Sequence, residues 1–84
     1  MIVIATGAID RPQELGPFVE EEMRVVAQLK GEGLIKTVYR RAAGPGIVTV
    51  LEGESIEAIR ESMECLPFLF EGLMTLEHEE VYEI

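Results

Sequence analysis

The chain has one cysteine, Cys65, one histidine, His78, and only 7 lysines and arginines against 16 aspartates and glutamates. A lone cysteine excludes an internal disulfide and leads us to expect a reducing compartment, the cytoplasm. Zinc-type ligand spacing is absent, so no metal is expected. A net charge of −9 repels phosphate backbones and anionic bilayers, so neither nucleic acid nor a membrane is expected as a partner. No apolar stretch approaches the roughly 20 residues that span a bilayer. The run from Ile2 to Ile9 is short and lacks the basic flank of a targeting segment. Repeats and linkers are missing as well. Gly44-Pro45-Gly46 joins two strand-like runs and precedes no helix, which excludes a phosphate-binding loop there.

What is present suits one small folded unit. The sequence opens on Met1, and its 84 residues are read as a complete protein with a single domain over 1–84. A hydrophobic fraction of 48% supplies a packed core and argues against disorder. So short a chain buries only about 60–65% of its unfolded surface, and oligomerisation is one way to supply more.

Ile2 to Ala8 reads as a strand, apolar at both parities and therefore covered on both faces. Asp10-Arg11-Pro12 breaks it. A first helix is predicted from about Leu15 or Pro17 to about Lys30, with Leu15, Phe18, Val19, Val26 and Leu29 on one stripe. Gly31 and Gly33 stop it. Leu34 to Ala42 is a second strand, and Ile47 to Leu51 a third, joined as a hairpin through Gly44-Pro45-Gly46. Ser55 caps a second helix whose buried stripe is Ile56, Ile59, Met63 and Leu66, and Pro67 ends it. Phe68-Leu69-Phe70 is an apolar connecting segment, and a last strand runs from about Leu73 to Tyr82.

This β-α-β-β-α-β order predicts an α+β, ferredoxin-like fold: an antiparallel sheet with both helices on one face. Strands one and three are too apolar to leave the other face wet. Packing two sheets face to face would cover it, so a homodimer is expected, the chain itself being its own partner.

Three features together resemble muconolactone isomerase and its relatives. They are the Gly33 helix stop, the aromatic-basic pair Tyr39-Arg40 in strand two, and Leu66-Pro67-Phe68-Leu69-Phe70 before the last strand. Glu22 also falls where those proteins carry a glutamate, while Phe18 and Val19 stand where they tend to be basic. The resemblance covers roughly residues 17–80. It implies a dimeric α+β barrel without cofactor, active on a small lactone or organic acid by shifting a double bond in aromatic catabolism. Related barrels include cofactor-independent monooxygenases and ligand-binding modules, so a non-catalytic binding or oligomerisation module is the rival expectation.

The candidate chemistry centres on Glu22. On a helical wheel it lies between Phe18, Val26 and Leu29, where a carboxylate is costly unless paired or neutral. Burial there would raise its pKa and suit it to act as a general base; otherwise it is bonded to a nearby basic group. Alternation places Leu34, Lys36, Val38 and Arg40 on one sheet face and Ile35, Thr37, Tyr39 and Arg41 on the other. An inward Arg40 could hold a substrate carboxylate, or simply pair with Glu22. Tyr39, Phe68 and Phe70 are candidate substrate contacts, or else core and interface filler. His78, between glutamates, is expected on a solvated edge strand. Cys65 has no histidine partner and is expected to pack beneath the Phe68–Phe70 segment.

Overall fold

Strand β1 (Ile2–Ile9) carries Val3 and Ala5 with no exposed surface, and it lies between two neighbours. A computed structural model describes all 84 residues. In it β1 pairs antiparallel with both β3 (Gly46–Glu52) and β4 (Met74–Val81). Strand β2 (Ile35–Arg40) adds to the free side of β3, giving the order β2-β3-β1-β4. Helix α1 (Val19–Gly31) follows β1, and α2 (Ile56–Met63) follows β3. Val25 and Leu29 of α1 and Ile59 and Met63 of α2 join Val3, Ala5 and Leu51 in one core. Those three sheet residues share a parity, so both helices cover the same face. The chain has the ferredoxin-like α+β fold.

Several local details depart from the expectations. Pro67 does not end α2, which stops at Met63; it opens a separate turn, α3 (Pro67–Phe70). Proline suits this first position because its missing N–H would be unpaired there anyway. Cys65 is exposed, and its Sγ lies 3.2 Å from the Ser62 carbonyl, so it does not pack under Phe68–Phe70. Along α1 the buried positions are Glu22, Val25 and Leu29, while Val19 is 42% exposed. Two 3₁₀ turns, Pro12–Glu14 and Gly16–Phe18, precede this helix. Their three-residue repeat shifts the phase, so a stripe extrapolated back to Leu15 fails.

Strand β2 departs in a further way that bears on function. Its register slips between Ile35 and Thr37. Ile35 opposes Leu51 and Val38 opposes Thr49, both buried helix-side positions. Ile35 and Val38, three apart, therefore share the helix side, which strict alternation forbids and a bulge permits. Thr37 and Tyr39 oppose Val50 and Val48 on the other face, and Arg40 opposes Ile47 on the helix side. That other face carries Ile2, Ile4, Val48 and Val50, all half-buried within the single chain.

Candidate functional site

Between α1, the α2–α3 corner and strands β2 and β3 lies a cavity of about 230 Å³. Ten of its thirteen lining residues are apolar, among them Val26, Ile35, Val38, Leu66, Phe68 and Met74. The remaining three are Glu22, Thr49 and Lys30. Thr49 is fully buried and its hydroxyl donates to the Thr37 carbonyl at 2.8 Å, so its donor is already used.

Glu22 is the unusual member. It is only 3% exposed, and no Lys, Arg or His nitrogen lies within ion-pair distance of it. Its one polar contact in the protein is the Phe68 backbone N–H, which donates to Oε1 at 2.9 Å. Burial pushes the carboxyl above its ordinary range, and the Phe68 N–H partly offsets this. Removal from water disfavours the charged form more than one amide donor can restore. The result is a carboxyl of raised basicity held against an apolar hollow, the preparation a general base needs. Phe68 is the second residue of α3, whose N-terminal amides have no partner within the turn. Glu22 thus also ties α1 to α3 as a capping acceptor supplied from a distance.

The other anticipated residues are dispersed. Phe68 lines the cavity with Glu22. Arg40 is exposed and outside the lining, but it neighbours it, because its partner across the strands, Ile47, is a lining residue. Arg40 forms no ion pair with Glu22. Tyr39, 59% exposed, stands on the opposite sheet face. Phe70, 78% exposed, faces a different hollow.

That second hollow, about 890 Å³, is an open groove between α2, α3 and the edge strand β4. Arg60, Glu64, Phe70 and His78 border it, and Met74 lines both it and the cavity. The Nε2 of His78 is shielded from solvent and has no hydrogen-bond partner. Burial, and secondarily the Arg60 charge, hold this imidazole below its ordinary pKa. His78 is therefore half-buried, not a solvated edge residue. Its side of the sheet follows from its register opposite buried Ala5. Nowhere do three His, Cys, Asp or Glu side chains converge in a metal-binding cluster.

Of the residues anticipated from the sequence, Glu22 and Phe68 line the cavity, and Lys30 and Thr49, which were not anticipated, line it too. Thr49 was legible in principle, as the only hydroxyl in the apolar run Ile47–Leu51. Lys30 carried a weaker signal: it stands eight residues after Glu22, with Val26 midway, on one helical stripe.

No protein-family model matches the chain. No curated protein matches its sequence either. Among solved structures, it is similar to 5-chloro-2-hydroxyhydroquinone dehydrochlorinase (TftG) from Burkholderia phenoliruptrix, determined in complex with 2,5-dihydroxybenzoquinone. The match has a TM-score of 0.68 at 21% identity and covers 95% of this chain and 93% of the other. The two share a fold. Full-length coverage at such low identity carries architecture from one to the other, and nothing more.

Proposed function

We propose that the chain is a cofactor-independent enzyme that moves a proton on a small ring compound, a lactone or organic acid, with Glu22 as the general base. One observation carries this reading: a 3%-exposed carboxylate without a cationic partner, bordering an apolar cavity. One amide contact leaves much of the cost of burying such a group uncompensated, and use as a base accounts for it. Size limits the substrate. An apolar cavity of about 150 Å³ accommodates benzene, so about 230 Å³ takes one ring and a short substituent. The dehydrochlorinase that shares the fold holds a one-ring quinone in its solved complex, which supports this size class. A double-bond shift of the muconolactone isomerase kind fits the same chemistry: Glu22 takes an allylic proton and returns it to another carbon. Arg40, beside the rim on the helix side of the sheet, is the proposed second catalytic group, stabilising developing negative charge. Phe68 is proposed to contact the ring. Tyr39 and Phe70 would reach a substrate only from outside this cavity.

The test is hydrogen exchange in D₂O, followed by NMR on unsaturated lactones and cyclic enones that carry an acidic side chain. Wild type is expected to exchange the activated proton, and Glu22→Gln to lose about 100-fold or more of that rate. An unchanged rate in Glu22→Gln removes the base from the mechanism.

A second reading is favoured by the Phe68 contact. If the main task of Glu22 is to hold α3, the protein is a ligand-binding or oligomerisation module. Wild type would then bind ring compounds without exchanging their protons.

A further inference from the structure

Accepting that the Glu22 cavity is the ligand site, we propose that Lys30 holds the anionic end of the ligand. The ligand class is then a one-ring organic anion whose charged group lies at the far end from the reacting carbon.

Glu22, Val26 and Lys30 occur at i, i+4 and i+8 on α1, and all three line the cavity. At 1.5 Å per residue their backbone positions span about 12 Å along the helix axis. The cavity therefore runs lengthwise beneath α1, with buried Glu22 towards one end and exposed Lys30 at the other. Glu22 meets Phe68 at its end. Lys30 lies beside the turn leading to Ile35, where Gly33 N–H donates to the Lys30 carbonyl.

A ligand charge has few places to go. The middle is apolar, and its one hydroxyl, on Thr49, already donates to the Thr37 carbonyl. An unpaired anion there would be strongly disfavoured. Next to Glu22 it would meet a like charge whenever that carboxyl is ionised. Of the seven basic side chains, Arg11, Arg24 and Lys36 are committed to Glu14, Glu21 and Glu52. Among the uncommitted cations, Lys30 alone lines the cavity.

Lys30 also has structural uses. It stands in the last turn of α1, where a cation suits the helix dipole, and its methylenes can cover apolar surface. Lys30→Met keeps the straight apolar stem and deletes only the charge, so a charged and a neutral probe separate these uses from ligand binding.

Titration of the intact protein with 3-phenylpropanoate and with 3-phenylpropanamide supplies the test. Wild type is expected to favour the carboxylate. Lys30→Met should lose about five- to tenfold in carboxylate affinity, the scale of one charge-assisted contact, with the amide unchanged. Arg60→Met, which removes an uncommitted cation outside the cavity lining, should bind both like wild type. Carboxylate binding by Lys30→Met equal to wild type, or an equal loss in Arg60→Met, overturns the assignment. If neither probe binds at millimolar concentration, the cavity is not the ligand site and the proposal falls with it. The catalytic reading fails separately. These titrations read binding alone, whatever the exchange experiment shows about proton transfer.

Discussion

Replacing Glu22 with Gln keeps its shape and an oxygen for the Phe68 N–H while removing the charge. The folded-state pKa of Glu22 lies above its ordinary value because of burial. Its ionisation therefore opposes folding. The stability it permits is fully present below the unfolded value of about 4.3 and is lost as pH rises through the folded pKa. Urea unfolding should show Glu22→Gln gaining on wild type as pH rises above the unfolded carboxyl value; a pH-independent difference would mean that the carboxyl is not desolvated. His78 behaves in the opposite sense. Its folded pKa is depressed, so its contribution is present above the free imidazole value and is lost as pH falls through the folded pKa. A proton NMR titration should place its midpoint below that of a histidine in a disordered peptide. The burial of Glu22 was legible because one charge inside an apolar stripe stands out. The exposure of Cys65 was overridden in the sequence reading by the general tendency of cysteine to be buried, although the residue lies off the buried stripe of α2.

Among the elements, those fixed by periodicity and punctuation were readable in advance: four strands, two helices, the hairpin and the cap at Ser55. The Ser55 side chain accepts from the Ala58 N–H at 3.1 Å, and Ser55→Ala should cost about 1 kcal/mol by denaturant unfolding. Register was not readable. The slip between Ile35 and Thr37 depends on which residues of β3 they meet, and no local pattern in Leu34–Ala42 encodes that. It decided which side chains turn towards the cavity. The hairpin itself is sterically exacting. A Cβ on Gly46 would lie 2.2 Å from the Gly7 carbonyl oxygen, with backbone on both sides of the clash. Gly46→Ala must therefore push β3 away from β1, and we expect a loss of about 2–4 kcal/mol. A thermal midpoint like that of wild type would show that the strands can part at no cost.

For the molecule as a whole, the second sheet face is the surface left to cover. Ile2, Ile4, Val48 and Val50 lie there without a helix over them. We propose that a second copy does so, as the sequence led us to expect. Sedimentation at micromolar concentration should give the dimer mass, and Val50→Lys, at the centre of that face, should give a monomer that remains folded. A wild-type monomer would leave Tyr39 on a free surface. Edge strand β4 carries Glu77, Glu79 and Glu80, charges that discourage further sheet-to-sheet addition. Three exposed ion pairs and a strongly acidic surface add little to stability at physiological salt.

Met74 forms the partition between a mostly apolar hollow and an open one. It is 3% exposed, yet it fronts both the Glu22 cavity and the groove beside His78. Trimming it to alanine would open a passage and admit solvent to a carboxyl whose basicity depends on being kept from it. The acid would then titrate like any surface glutamate, visible in its side-chain carbon shift, even though nothing that touches the proton had been altered.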